Sequence, residues 1–276
     1  MNYAQLLFPD FSLILCGYLV CRYTALDRRV WEQVEALVYF FLFPVLLFHS
    51  IVRSPLDLGA TSSLIGAGLA LGVTGIALSY SLPWLPGIGR HIDRREHAAS
   101  AQVGFRFNSF IALALAERLA GAQGLLLIAV LIGVCVPLFN VGAVWPMARQ
   151  AQRGFVRELV RNPLILATAS GLVAAGAGMQ FGTLARAKTL AVSVLAVRHL
   201  LLPLVAFGLA KVFRLDAMQA TVLLAFSAVP TASSCYVLAA RMGYNGAYVA
   251  GLVTLSTLLG VVSLPFALGV LRPHGT

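Results

Sequence analysis

Long apolar runs of about twenty residues, the length that an α-helix needs to cross the hydrocarbon core of a bilayer, follow one another along almost the whole chain. Charged residues make up 11% of the 276-residue chain and hydrophobic residues 59%. A soluble domain carries more than twice that share of charge, so this chain has too few charges to cover a water-facing surface. The pattern predicts an all-α, polytopic membrane protein with nine spans: 5–22, 34–52, 58–82, 98–117, 122–147, 162–182, 189–213, 217–240 and 244–270.

The same composition excludes several classes of function. Nine spans leave no length for a soluble catalytic domain. The sequence contains no nucleophile–base pair, no His/Cys cluster and no Asp/Glu pair. It therefore predicts no enzyme, no metal site and no other cofactor. A net charge of +10 would suggest nucleic acid as the partner of a soluble protein, but it is expected of a membrane protein with basic cytoplasmic loops. The predicted environment is therefore the lipid bilayer, with no nucleic acid as partner.

Arginine in the short loops predicts how the first five spans are oriented. Loops 22–29, 90–95 and 149–161 together hold ten arginines, whereas the two loops between them hold Arg53 and Arg118 alone. Because basic loops stay in the cytoplasm, the three arginine-rich loops are expected inside and the N-terminus outside. After residue 182 the basic residues divide evenly between the two sides and predict no orientation.

Polar residues interrupt the fourth predicted span near its start, where Arg106, Asn108 and Ser109 lie within four residues. An ionisable or amide side chain is costly inside a bilayer and marks either a ligand pathway or a structural partner. Arg106 can extend to the membrane interface or supply a fixed positive charge to a cavity. Asn108 is too short to reach the interface, so its amide is expected to contact a ligand or another helix, and we favour the ligand.

A second interruption lies in the middle of the eighth predicted span, where Pro230 is followed by Thr231, Ser233 and Ser234. Proline lacks the helical N–H and leaves a carbonyl oxygen that lipid cannot satisfy. A proline with three hydroxyl side chains directly after it therefore predicts a functional break in the helix. Pro203, which has no such polar neighbours, is more simply a tolerated kink.

Two other features of the predicted spans are a pair of glycines and a pair of basic residues. Gly68 and Gly72 are spaced for close contact between two helices, and packing accounts for them. Arg198 and His199 lie in the middle of the seventh span, an unusual place for two basic side chains.

Four short stretches are more specific in combination than any single polar residue. They are residues 105–114 (FRFNSFIALA) with 116–119 (AERL), 136–141 (VPLFNV), 162–167 (NPLILA) and 229–239 (VPTASSCYVLA). In this order they resemble bacterial members of the auxin efflux carrier family, and the likeness covers nearly the whole chain.

The resemblance implies both a fold and a function. Carriers of this family move small organic anions and consist of ten helices in two inverted five-helix repeats. The fourth helix of each repeat is broken, and the two breaks cross near the bilayer centre, where helix ends present partial charges to the substrate. On this chain the crossover would fall at Asn108 in the first repeat and at Pro230, Thr231 and Ser233 in the second.

The chain departs from the family in its second half, where four spans follow residue 150 instead of five. Residues 162–172 resemble the start of the family's sixth helix, and residues 173–184 resemble the end of its seventh. A missing stretch of about 30 residues, one helix and its loop, explains this juxtaposition. The expected organisation is a first repeat at 1–147, a cytoplasmic loop at 148–161 and a shortened second repeat at 162–276.

Two arrangements of residues 162–182 are possible, and the match of residues 229–239 to the family favours the second, because a crossover needs its partner in register. If they cross the membrane once, the last three spans are inverted relative to the family. If they return to the cytoplasmic side, those spans keep the family orientation, the C-terminus lies outside, and Arg198 and His199 line the gap left by the missing helix. That gap would be open to water or filled by a second, identical subunit.

The leading hypothesis is a secondary transporter, with export the favoured direction, of small carboxylates in the bacterial cytoplasmic (inner) membrane. The predicted substrate-binding residues are Arg106, Asn108, Ser109, Pro230, Thr231, Ser233 and Ser234. The alternative is a non-transporting membrane protein, either a sensor or an inactive remnant of a carrier. Because no Asp or Glu lies in the middle of a span, a proton relay would depend on His49 or His199.

Overall fold

The computed structural model describes residues 58–150 and 187–271, together with residues 12, 15–17, 19–25 and 30. From residue 58 onward the described elements are all helical and include no strand. The predicted spans 34–52 and 162–182 and the loop 151–161 lie outside the described residues, as does most of span 5–22. The total of nine spans and the loss of one helix therefore stay predictions.

Nine α-helices, together with short 3₁₀ and π-helical turns, make up the described residues from 58 onward. They are α1 (Leu58–Ser81), α2 (Arg94–Ser100), α3 (Gln102–Phe105), α4 (Ser109–Gln150), α5 (Lys188–Ala196), α6 (Leu202–Val212), α7 (Ala217–Ala228), α8 (Ser234–Arg241) and α9 (Gly246–Val270). Four helical stretches are long and apolar enough to cross a membrane: Thr61–Trp84, Arg94–Arg149, Lys188–Val212 and Gly246–Val270. The predicted all-α, polytopic class is confirmed.

Helix α4 is kinked within its first third. Its 42 residues would measure about 63 Å if straight, twice the thickness of the hydrocarbon core. The helical path is interrupted at Ala120 and Gly121. Gly121 has φ 59° and ψ −150°, a backbone conformation that residues with a Cβ rarely adopt. This interruption separates the predicted spans 98–117 and 122–147.

Small residues on α1 let it approach α4 closely. A Cβ added to Gly68 would collide with the side chain of Leu131, and one added to Gly72 would press on the ring of Phe139. The close helix contact predicted for these two glycines is confirmed.

Three contacts bring helix ends from both halves of the chain to one face of the bundle. The Tyr244 hydroxyl donates to the Met147 carbonyl (2.8 Å), and the Tyr248 hydroxyl donates to the Ala187 carbonyl (2.7 Å). Arg95, at the start of α2, donates to the carbonyl of Gly243 (3.2 Å). The end of α4 and the start of α5 therefore lie on the same face, and α9 leads away from it.

This shared face decides the relative orientation that charge counting left open. If the arginine-rich loops are cytoplasmic, the turn between α8 and α9 lies on the cytoplasmic side too, as the second of the two arrangements above would place it. The turn between α6 and α7 then faces outside, where Phe213 packs beside Gly66 near the start of α1.

Cysteine labelling in intact cells tests the absolute orientation. In a cysteine-free background, a cysteine at Ala217, exposed at the start of α7, should react with a membrane-impermeant maleimide. A cysteine at Arg90, exposed between α1 and α2, should react after permeabilisation only. The opposite pattern at the two positions would show that the arginine-rich loops face outside.

Candidate functional site

The first broken helix consists of α2, α3 and the beginning of α4. Asp93 caps its start, since its carboxylate accepts hydrogen bonds from the N–H groups of Arg95 (2.9 Å) and Glu96 (2.8 Å). The helix ends at Phe105, and Arg106 is extended, with φ −77° and ψ 145°. The path resumes at Ser109, so the break covers residues 106–108.

The second broken helix consists of α7 and α8. Asp216 caps its start by accepting from the N–H groups of Met218 (2.9 Å) and Gln219 (2.8 Å). Val229 is extended, with φ −60° and ψ 148°, because the ring of Pro230 disfavours helical geometry in the residue before it. Helix resumes at Ser234, so the break covers residues 229–233.

The two broken helices have the same internal spacing. In each, the capping aspartate lies thirteen residues before the first extended residue, which is Arg106 after Asp93 and Val229 after Asp216. Each is also preceded by one long helical stretch and followed by another. This correspondence, which reading the sequence missed, is what two related repeats would produce.

The two breaks cross in direct contact. The backbone N–H of Asn108 donates to the carbonyl of Pro230 (2.9 Å). The Thr231 hydroxyl donates to the carbonyl of Arg106 (2.9 Å) and also lies against the carbonyl of Val103. The structure thus brings together the two segments that the sequence singled out, and the Thr231 side chain links them.

Arg106 lies at this crossing with 3% of its surface exposed. Its guanidinium donates to Oε1 of Gln102 (2.9 Å), Oδ1 of Asn140 (3.2 Å) and Oγ of Ser234 (3.0 Å). The side chain therefore does not extend to the membrane interface, the alternative considered for it above. Gln102 and Asn140 are members of the site that sequence reasoning had not selected.

Asn108 begins the second half of the first broken helix. Its Oδ1 accepts from the N–H groups of Phe110 (3.1 Å) and Ile111 (3.3 Å), so it acts as an N-cap. Among the described residues, none accepts a hydrogen bond from Asn108 Nδ2, and none bonds to the hydroxyls of Ser109 and Ser233. These three side-chain groups at the crossing are therefore candidates for contact with a ligand.

Arg198 is fully buried and caps the first half of the second broken helix. Its guanidinium donates to the carbonyls of Val229 (2.9 Å) and Phe226 (3.2 Å). In a continuous helix the Phe226 carbonyl would accept from the N–H of residue 230, which proline lacks. The expectation that Arg198 lines an open gap is wrong, because its side chain supplies the donor that Pro230 removes.

His199 is also buried, with 6% of its surface exposed, so the same expectation is wrong for it. Its Nδ1 lies 2.7 Å from Oγ of Ser263, and its Nε2 lies 2.8 Å from Oγ of Ser256. Ser256 Oγ in turn accepts from the backbone N–H of Thr231 (2.9 Å) in the second break. His199 is thus connected to the crossing through one serine.

Four phenylalanines pack beside the crossing and exclude water from one side of it. The rings of Phe107 and Phe226 are 4.2 Å apart between centroids, and those of Phe107 and Phe139 are 5.8 Å apart. Phe105 packs on Phe139 at 5.9 Å. In such surroundings the effective dielectric constant is low, and the charge of Arg106 acts more strongly than it would in water.

The charges at the crossing are positive. Within residues 58–150 and 187–271, no carboxylate forms an ion pair with Arg106 or Arg198. Helices α4 and α8 both begin at the crossing, and the N-terminal end of a helix carries a partial positive charge. In the same ranges, no group of three or more His, Cys, Asp and Glu side chains comes together as a metal site would require.

Comparison with known proteins relates part of the chain to a family of transporters. Residues 172–274 match the model of the Sodium Bile acid symporter family, and this segment includes the second broken helix. No curated protein matches the chain. The auxin efflux carrier family is not among the matches, so that resemblance stays a prediction. The family match and the candidate spans together indicate a multi-pass membrane transporter.

Proposed function

We propose that this protein is a secondary transporter that carries small organic anions, carboxylates in particular, across the bacterial cytoplasmic membrane and binds them at the crossing of its two broken helices. The observation that carries the proposal is the buried guanidinium of Arg106, which lies between the two breaks with no described carboxylate beside it. The resemblance to auxin efflux carriers favours export as the direction. A second copy of the chain as partner is compatible with this function and is not required by it.

The hydrogen bonds of Arg106 support an anionic substrate. A guanidinium has five N–H donors, and the three acceptors on Gln102, Asn140 and Ser234 use three of them. At most two of its N–H donors are left, and the thiol of Cys235 also lies within hydrogen-bonding reach of the guanidinium. A buried cation is stable when an anion pairs with it, and a hydrogen bond between a guanidinium and a carboxylate is charge-assisted.

The helix ends support the same charge preference. Helices α4 and α8 both begin at the crossing, and the partial positive charge of a helix N-terminus favours an anion even where, as at Phe110 and Ile111, the N–H groups are already capped. Asn108 Nδ2 and the hydroxyls of Ser109 and Ser233 supply further donors. Thr231 and Ser234 contribute differently, since the first holds the breaks together and the second orients Arg106.

The family match supports the class of substrate without identifying it. The family is described as sodium bile acid symporters, and bile acids are themselves organic anions. The matched segment ends at residue 274 and contains Pro230, Thr231, Ser233 and Ser234 but not Arg106. The proposed site therefore combines matched residues from the second break with residues that the match does not cover.

Counterflow in proteoliposomes tests the proposal. Vesicles that contain the purified protein and a high internal concentration of unlabelled benzoate or succinate should take up the labelled anion transiently. The neutral amides of the two acids should not exchange. Exchange of the amides at the same rate would contradict the role of charge, and binding of the anions without any exchange is the result expected of a sensor.

Two substitutions of Asn108 distinguish a role in binding the ligand from a role in capping the helix. Replacing Asn108 with alanine removes the cap and should lower the stability of the protein by about 1 kcal/mol. Replacing it with serine retains a capping oxygen but removes the Nδ2 donor. We expect the serine variant to melt close to the wild type and to bind benzoate or succinate several-fold more weakly. If the serine variant binds as the wild type does, Asn108 acts as a cap alone.

A further inference from the structure

A π-helical turn places two consecutive basic residues inside the bundle. The turn Val197–Leu201, which lies just before Pro203, is a π-helix, and both Arg198 and His199 are buried there. Such turns occur most often at functional sites.

Both side chains of this turn contact the second break. Arg198 donates to the Val229 carbonyl on one side of it. His199 contacts Ser256, whose Oγ accepts the N–H of Thr231 on the other side. The function proposed above uses neither the imidazole nor Ser256. The imidazole is nevertheless connected to Thr231 through a single side chain, that of Ser256.

We propose that His199 is the site that binds and releases a proton moved together with the organic anion. This inference rests on the proposed function, because it names the ion coupled to transport at that same crossing. The proton adds to whichever ring nitrogen is unprotonated, giving an imidazolium, and leaves from it on the other side of the membrane.

Protonation of the His199 ring changes its hydrogen bonds to the two serines, whichever neutral tautomer is present. A neutral imidazole donates through one nitrogen and accepts through the other, so one of Ser256 and Ser263 donates to it. An imidazolium donates through both nitrogens. The donating serine must then turn its hydrogen away, which changes the hydrogen bonds at the second break when Ser256 is that serine.

The charges around His199 couple the proton to an anion. Arg198 is its neighbour on the same turn, and that helical stretch carries Lys188 and Lys211 near its ends. The helices packed against the turn, α1, α3, α7 and α9, contribute Tyr80 and Tyr248 and no charged side chain. Beyond these helices, Arg106 follows α3 and the thiol of Cys235 belongs to α8.

A second positive charge beside Arg198 therefore has no described carboxylate to offset it. An anion at the crossing supplies that negative charge, so each ligand favours binding of the other. By linkage, the factor by which the anion strengthens proton binding equals the factor by which the proton strengthens anion binding. Both ligands then move together, so export takes place when the outward gradient of the anion exceeds the inward gradient of the proton.

Proteoliposomes with an imposed pH gradient test the inference. With the membrane potential held at zero by potassium and valinomycin, a gradient of one pH unit, acidic outside, should drive accumulation of succinate up to about tenfold for one coupled proton. Replacing His199 with glutamine, which retains a donor and an acceptor for the serines, should abolish this accumulation. Counterflow, which needs no ion gradient, should be weaker in that variant but still detectable, because the anion then binds without the added positive charge.

The controls keep two failures apart. Replacing His91, exposed in the loop before α2, with glutamine should leave the accumulation unchanged. If the wild type shows no counterflow, the proposed function fails. Two results would leave the function standing and refute the proton site. One is counterflow together with succinate accumulation that a sodium gradient drives and a pH gradient does not. The other is accumulation of succinate by the His199→Gln variant.

A measurement on the wild type does not depend on how the variant folds. A pH-sensitive dye trapped in the vesicles should report acidification of the lumen when succinate enters, above the signal of vesicles without protein. An unchanged lumenal pH during succinate entry would overturn the inference.

Discussion

Replacing Arg106 with glutamine should reduce the exchange of benzoate and succinate by about 10- to 100-fold. Hydrogen bonds to a charged group are worth about 1.5–3 kcal/mol, and each 1.4 kcal/mol is a factor of ten in affinity. Glutamine is neutral, so it removes the positive charge that would pair with a carboxylate. Equilibrium binding and counterflow of the purified protein, at equal amounts of folded carrier, measure the effect.

Two matched variants define what the Arg106→Gln result means. Lysine at position 106 retains the charge but not the paired donors, so exchange should be intermediate. Replacing Arg94, which is exposed at the start of α2, with glutamine removes an arginine charge far from the crossing and should leave exchange unchanged. If the Arg106→Gln protein exchanges both anions within twofold of the wild type, the substrate does not bind at this guanidinium.

The location of the crossing was predictable from local chemistry. Proline in the middle of a span and polar side chains in an apolar run each mark a helix that cannot continue unchanged in lipid. Asn108 and Pro230 were selected on that basis, and the structure joins them by a backbone hydrogen bond. Hydropathy placed the start of this span at residue 98, because the charged first turn of α2 after Asp93 is not apolar.

The role of Arg198 was not predictable in the same way. Its acceptors, the carbonyls of Phe226 and Val229, lie about thirty residues further along the chain, and nothing local to Arg198 indicates them. Read alone, a buried arginine with no acidic neighbour suggests an open cavity. Its partners follow from how two helices pack, which no pattern within one helix encodes.

The relative orientation of the two halves was hidden for a similar reason. Loop charges order a chain when one side is clearly more basic, and after residue 182 they are balanced. The contacts of Tyr244 with Met147 and of Tyr248 with Ala187 supply that order, and both join residues more than sixty positions apart.

Replacing Arg198 with methionine should lower the stability of the protein by about 2–4 kcal/mol, because buried acceptors left without a donor cost about 1–3 kcal/mol each. Methionine fills similar space but donates nothing to the carbonyls of Phe226 and Val229. Thermal unfolding of the purified protein measures the loss. Replacing Lys211, which is exposed near the end of α6, with methionine is the matched control and should change the melting temperature little.

A second substitution tests the reason for this instability. Replacing Pro230 with alanine restores a backbone N–H at the position where a continuous helix would donate to the Phe226 carbonyl. In the Arg198→Met background this change should therefore recover part of the lost stability, while in the wild-type background it should recover none. The double variant should not exchange anions, even if its stability is partly recovered. A helix that closes across residues 229–233 removes the break that crosses Asn108. Equal effects of Pro230→Ala in both backgrounds would show that Arg198 and Pro230 act independently.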